Sequence, residues 1–302
     1  MAPKTWLITG CSSGFGEEFV YEAIRRGDKA VATARGDTSR LAALKEAGAY
    51  VYSLDVTSPI ETVKSTVAAI IEEIGTIDVL VNNAGYVQLG FTEEVDLDSW
   101  HAIFETNFFG SIKMIQAVLP HMRARRSGDV VFIGSMYGLS GQLSAVGYSA
   151  TKFALEGVHD VLRTEVAQFG IRSLMFEPGI CRTSVMQKTH PPAPANFFDD
   201  YKPLRDLTTA VMTALPGYEV GDPKKVVKVM VDLIRGEGVA KGREVPDRLI
   251  LGTDTPESVK PKIEGMMKQW EEWDEVIMST DCEDVAGREE PEYAKMIRSL
   301  RQ

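Results

Sequence analysis

The sequence predicts a doubly wound α/β fold, a mostly parallel sheet with helices on both faces. Short continuous apolar runs recur along the first 180 residues, segments of helical periodicity separate them, and a glycine-rich turn follows the first run. Runs of this kind suit strands buried on both faces of a parallel sheet, and their alternation with helices implies right-handed crossovers.

In chain order, the strand candidates are Trp6-Leu7-Ile8, Ala30-Val31-Ala32, Val79-Leu80-Val81, Val130-Val131-Phe132-Ile133 and Leu174-Met175-Phe176. Phe15, Phe19 and Ala23 line one helix face after the first strand. Val63, Val67, Ile70, Ile71 and Ile74 do the same farther on. The alternation breaks after Gly179. Residues 189–203 carry Pro191, Pro192, Pro194 and Pro203, which neither a helix interior nor a central strand accepts, so a lid is expected over about 184–222. A helix resumes near Asp222-Pro223, with Asp as cap and Pro in the first turn. Arg248 to Leu251 reads as the last short strand. Beyond it Ile263, Met266, Met267, Trp270, Trp273 and Ile277 repeat at helical spacing, a packing face for the body or for a second subunit.

The 302 residues are 44% hydrophobic and 25% charged, as in an ordinary globular chain. A net charge of −10 argues against nucleic acid, which needs clustered Lys and Arg. Residues 253–302 hold 13 acidic against 7 basic side chains, so −6 of that charge sits in one solvated helical extension. No stretch approaches the roughly 18 apolar residues of a membrane span. No signal peptide is expected, because MAPKTWLITG leads directly into the first strand and its turn. Cys11, Cys181 and Cys282 lack metal-ligand spacing and suit reduced thiols in the cytoplasm. His101, His121, His159 and His190 are dispersed, and no metal site is expected. Cys181 reads as a small buried hydrophobe rather than a reactive thiol.

Chemistry enters at Thr9-Gly10-Cys11-Ser12-Ser13-Gly14-Phe15-Gly16, between the first strand and its helix. Three glycines allow a tight turn and close approach to a pyrophosphate, and the helix start supplies free N–H groups. The spacing is GxxxGxG. With it come Asp55-Val56 after the third strand, Asn82-Asn83-Ala84-Gly85 after the fourth, Asn107 in a helix, Ser135 after the fifth, Tyr148 with Lys152, and Pro178-Gly179 after the sixth. This series, in this order and at these strand ends, resembles the short-chain dehydrogenase/reductase family over at least residues 4–183.

The resemblance implies a Rossmann-type seven-stranded sheet and one catalytic domain over residues 1–252, with the 253–302 extension packing on it. It also implies that Gly10, Gly14 and Gly16, with Phe15 beside them, cradle the pyrophosphate. Asp55 and Val56 flank the adenine. Asn83, Ala84 and Gly85 lie along the cofactor, and Pro178, Gly179, Ile180 and Thr183 hold the nicotinamide carboxamide. At the end of strand two, Ala34 stands where NAD-preferring relatives tend to carry Asp. Arg35 follows it, and with Ser12 and Ser13 it suits a 2′-phosphate, so the expected cofactor is NADP(H).

Tyr148 and Lys152, at i and i+4, project from one helix face. A phenol is a poor proton-transfer group at neutral pH, and a nearby ammonium is expected to lower its pKa. Ser135 offers its hydroxyl to the same substrate oxygen. Asn107 is expected to hold a water beside Lys152. Gly134 to Gly138 and Tyr148 to Gly157 are similar to the branch of hydroxysteroid and retinol dehydrogenases and microbial ketoreductases, implying a fairly large, apolar carbonyl or alcohol. The substrate is expected near Tyr86, Gln88, Met136, Gln142, Leu143 and Met186. Homodimers through the helices bearing Asn107 and Tyr148 are common in the family. The competing readings are a non-redox NADP-binding sensor or scaffold, and a lyase, cyclase or epimerase on the same fold.

Overall fold

A computed structural model describes residues 2–185, 196–282 and 289–299. Seven strands form one sheet in the order β3-β2-β1-β4-β5-β6-β7: β1 Thr5–Ile8, β2 Lys29–Ala34, β3 Tyr50–Ser53, β4 Val79–Asn82, β5 Gly128–Ile133, β6 Ile171–Pro178 and β7 Arg248–Leu251. Every neighbouring pair is parallel, with Trp6 opposite Ala30 and Val79, and Val131 opposite Leu174. The order reverses between β1 and β4. In such sheets a crevice opens there at the carboxyl ends of the strands.

Successive strand side chains point to opposite faces, and this divides the core in two. Trp6 and Ile8 pack on one face with Phe19 of α1 (Gly14–Arg25) and with Val227, Met230 and Val231 of α8 (Pro223–Arg235). Leu7 points to the other face. There it joins Val63, Val67 and Ile70 of α3 (Ile60–Ile74), Met114 and Val118 of α5 (Gly110–Arg125), and Leu155 and Leu162 of α6 (Val146–Ala167). The short α2 (Ala42–Glu46) precedes β3, and α4 (Leu97–Phe104) continues through a π-helical turn, Glu105–Phe109, into α5.

Asp222 caps α8 by accepting from the Lys224 and Lys225 amides, and Pro223 occupies the first turn, as its sequence implies. The expected lid region holds a helix, α7, Lys202–Ala214, with Leu204, Leu207 and Val211 at helical spacing. Pro203 lies in its first turn, where the missing N–H would have no intrahelical partner in any case. The residue taken as a breaker opens the helix. Pro191, Pro192 and Pro194 lie outside the described residues.

The chain divides into two compact units, residues 1–255 and 256–302. Helix α9 (Asp254–Glu272) begins in the first and runs on into the second, which also contains α10 (Asp274–Met278) and α11 (Glu292–Ser299).

Among the buried ion pairs, Arg235 at the end of α8 reaches both Asp28 oxygens at 2.5 and 2.6 Å, and Asp28 also accepts from the Trp6 indole. Both charged side chains are almost wholly buried, 5% and 0% exposed. Arg235→Met leaves the Asp28 carboxylate without its counter-ion in the core. The expected cost is about 3–5 kcal/mol in urea unfolding, and an unchanged midpoint refutes it.

Candidate active site

The site grows out of the strand ends. Thr9, just past β1, ties two loops together. Its Oγ1 accepts from the Asn83 and Ala84 amides, both at 3.0 Å, and donates to the Val81 carbonyl at 3.2 Å. Asn83 Nδ2 returns hydrogen bonds to the Thr9 and Gly10 carbonyls at 2.8 and 3.2 Å. This leaves no room at two glycines. A Cβ on Gly16 would meet the Gly10 carbonyl oxygen at 2.5 Å, and one on Gly10, whose φ is +73°, would meet Ala84 Cα at 2.9 Å. Gly16 is thus the packing point that brings α1 against the turn, and Gly10 and Gly14 face the crevice.

That crevice is a cleft of about 510 Å³. Gly10, Ser12, Ser13, Gly14, Phe15 and Arg35 line one end, with Asp55, Val56, Asn83, Ala84 and Gly85 following along its length. Ser135, Tyr148 and Lys152 line the other, and Pro178, Gly179, Ile180 and Thr183 run back along the wall as far as Gly14. Of the cofactor-binding and catalytic residues singled out in the sequence, Gly16 and Asn107 are absent from its wall.

At the first end Arg35 closes β2, and Arg40 donates from Nη2 to the Arg35 carbonyl, so two guanidinium groups flank this rim. Arg40 was not read from the sequence, because it belongs to a helical turn, Thr38–Leu41, that carries no motif. Asp55 turns its carboxylate inward to its own loop, accepting from the Thr57 amide and hydroxyl at 2.9 and 2.8 Å.

At the other end Ser135 Oγ accepts from the Tyr137 amide at 3.2 Å, which fixes the loop after β5. The Tyr137 ring stands edge-on to Tyr148, with centroids 6.4 Å apart. Lys152 is 7% exposed. Its ammonium donates to the Ile133 carbonyl at 2.6 Å and lies 5.5 Å from the Tyr148 ring centre. Burial pushes this lysine down to about 8, with the Glu156 carboxylate opposing the shift. Burial also pushes the Tyr148 phenol up, and the hydrogen bond with Ser135 pulls the other way. The expected lowering of Tyr148 by Lys152 is therefore not what governs the chain alone. The cost of desolvating a phenolate dominates, and the opposing pull comes from Ser135.

Asn107 sits in the π-helical turn. Its Oδ1 accepts from the Tyr86 amide at 3.0 Å, and its Nδ2 donates to the Tyr86 carbonyl at 3.0 Å and to Thr151 Oγ1 at 3.3 Å. These contacts engage both ends of the amide, so the side chain acts as a clamp between the loop after β4 and α6.

The loop after β6 is held by the start of α9. Asp254 Oδ2 accepts from the Ile180 amide at 2.7 Å, and the Ile180 carbonyl accepts from Gly221 at 3.0 Å. A Cβ on Gly179 would fall 2.0 Å from Asp254 Oδ1, so this close approach requires glycine. Both backbone groups of Ile180 are engaged within the chain. Thr183, beside Gly14, remains the side-chain candidate for a carboxamide. Burial, and then Asp254 and Asp222, push the Cys181 thiol up to about 12, which keeps it protonated and unreactive.

The expected substrate residues divide. Tyr86 and Met136 line the cleft, as do Val87 and Tyr137, which sequence reasoning did not select. Gln88 is a correction: it is 4% exposed, and its Oε1 faces Gly147 on α6 rather than the cleft. Successive side chains of the extended 87–88 segment point opposite ways, so Val87 on the wall puts Gln88 behind it. Gln142 and Leu143 are also off the wall, and Met186 lies outside the described residues. Among the described residues no cluster of His, Cys, Asp or Glu suits a metal, and no helix is long and apolar enough to cross a membrane.

Comparison with known proteins agrees with this geometry. A family model described as short chain dehydrogenase matches residues 4–193. Retinol dehydrogenase 8 of Bos taurus is 36% identical over 249 residues, covering 77% of this chain and 78% of that protein. The crystal structure of a short-chain dehydrogenase from Streptomyces avermitilis has a TM-score of 0.82 at 34% identity, covering 93% of this chain and all of that one. The structure of ElxO with NADP bound has a TM-score of 0.65 at 25% identity, covering 83% and 96%. A family match over well over half the sequence, on a sheet and cleft of the same design, makes this chain an oxidoreductase belonging to the short-chain dehydrogenase family.

Proposed function

We propose that the protein is an NADP(H)-dependent carbonyl reductase that interconverts a ketone or aldehyde with the corresponding alcohol. The observation that carries this reading is one continuous cleft with Arg35 and Arg40 at one end and Ser135, Tyr148 and Lys152 at the other. Ala34 places no carboxylate at the end of β2, and two guanidinium groups beside it suit a phosphate dianion. The glycine turn and the start of α1 would take the pyrophosphate, and Thr183 the carboxamide. The NADP-bound ElxO structure supports the same cofactor.

The bound cofactor supplies the hydride. As hydride reaches the carbonyl carbon, the oxygen becomes anionic. The Tyr148 hydroxyl delivers the proton that completes the alcohol, and the Ser135 hydroxyl donates a hydrogen bond to the same oxygen. Lys152 then favours the tyrosinate until it is reprotonated. In the reverse direction Tyr148 accepts the proton. Val87, Met136, Ile180 and Val185 give the cleft apolar wall, which favours a fairly apolar substrate. A homodimer through α4, α5 and α6 fits the exposed Leu97, Phe109, Phe153 and Val161, and Leu97, Trp100, Phe104 and Phe109 line an apolar groove there. A cytoplasmic setting suits three free cysteines.

NADPH absorbance across a panel of ketones and aldehydes tests the reading. Carbonyl-dependent loss of NADPH is expected. Binding without oxidation by any carbonyl would instead identify a sensor, and product formed with no net loss of NADPH a lyase or epimerase.

A further inference from the structure

One turn beyond Lys152 on α6, the Glu156 side chain is 9% exposed, and Glu177 on β6 is wholly buried. Neither lines the cleft. The two carboxyl groups lie within hydrogen-bonding reach of each other. Arg248 of β7 serves both, with Nη2 2.6 Å from Glu156 Oε2 and Nε 3.2 Å from Glu177 Oε1. Glu156 also packs under the loop that presents Ser135. A Cβ on Gly134 or Gly138 would fall 3.2 or 3.0 Å from Glu156 Oε1.

Glu156 Oε1 and both Glu177 oxygens are buried without a hydrogen bond among the described residues, Glu177 Oε1 having only the Arg248 ion pair at 3.2 Å. Buried carboxylate oxygens are costly in that state. One proton between two facing carboxyl groups satisfies an otherwise unpartnered oxygen of each. The surrounding charges supply no alternative. Arg248 is shared with a third carboxylate, Asp160 on α6, at 3.2 Å. Asp247, before β7, is paired with Arg163. His159 hydrogen-bonds Ser173 at 2.9 Å, and burial pushes it down to about 4, so it is neutral. Burial raises both glutamates, Glu156 adds to the rise at Glu177 and Asp160 to the rise at both, while Arg248 opposes it.

We propose that Glu156 and Glu177 hold one proton between them at neutral pH, and that the single negative charge left on the pair is the counter-ion that keeps Lys152 an ammonium beside Tyr148. Both are positioning residues that act through Lys152, so the second half of the proposal rests on the catalytic reading given above. The first half does not.

Infrared spectra of the full chain without cofactor, in H₂O and D₂O at neutral pH, test the shared proton. A carboxylic-acid carbonyl band that shifts on deuteration is expected in the wild type and is lost in Glu177→Gln. No such band, or a band unchanged in Glu177→Gln, overturns the proposal. The pH–rate profile tests the link to Lys152. Each single variant leaves one carboxyl group free to ionise, so only Glu156→Gln and Glu177→Gln together remove the charge that favours the ammonium, and in that double variant the basic limb is expected to move about one pH unit toward acid. Glu156→Gln alone and Glu177→Gln alone each keep one negative charge and with it the position of that limb. An unmoved limb in the double variant overturns the counter-ion role. If no carbonyl consumes NADPH but the infrared band behaves as expected, the catalytic reading falls and the shared proton stands.

Discussion

Tyr148→Phe is expected to lower carbonyl turnover by about 10²–10⁴-fold, the usual worth of a positioned general acid, with NADPH affinity unchanged. The substitution removes one oxygen and keeps the ring that packs edge-on to Tyr137 and sits near Lys152. Folding and the cofactor end of the cleft should therefore be undisturbed. Ser135 still donates to the substrate oxygen in the variant, so stabilisation of the anion persists while its protonation fails. Stopped-flow traces of NADPH oxidation, set beside fluorescence titration of NADPH binding, separate the two effects. Near-wild-type turnover would remove Tyr148 from the acid/base role. Lost binding would mean that the residue holds the fold instead.

Arg35→Asp is expected to shift the ratio of kcat/KM for NADPH over NADH by about 10²-fold toward NADH, since a charge-assisted hydrogen bond is worth about 1.5–3 kcal/mol and is here exchanged for repulsion. The side chain is exposed at the end of β2 and makes no ion pair among the described residues, so stability should change little. Arg40 lies on the same rim, which predicts residual NADPH binding rather than none. An unchanged ratio would take Arg35 out of the phosphate site. A ratio that moves only when Arg40 is also replaced would make Arg40 the principal ligand.

The strands illustrate which features the sequence makes legible. β1, β2, β4, β5 and β6 are central, buried on both faces, and appear as uninterrupted apolar runs. β3, at the sheet edge, reads Tyr-Val-Tyr-Ser, is only partly buried and produces no such run. α3 and α1 announce themselves through a periodic face packed on the sheet. α7 carries Leu204, Leu207 and Val211 at helical spacing but buries no residue, and its opening proline reads as an interruption.

The site divides along the same line. Residue types at strand ends in a set order were enough to select the glycine turn, Ser135, Tyr148, Lys152 and Arg35, because a parallel sheet carries every strand's carboxyl end to one edge. The sequence by itself therefore determined the central strands, the location of the cleft and most of the residues expected to act in it. Tertiary structure alone decided what those residues lean on: Thr9 against Asn83, Asn107 clamped on Tyr86, Asp254 under Ile180, and Glu156 facing Glu177 beneath the loop of Ser135. Each of these pairs joins segments far apart in the chain. Hydrophobic periodicity is a local signal, whereas a buried polar contact depends on the three-dimensional approach of two groups whose spacing along the chain carries no trace of it.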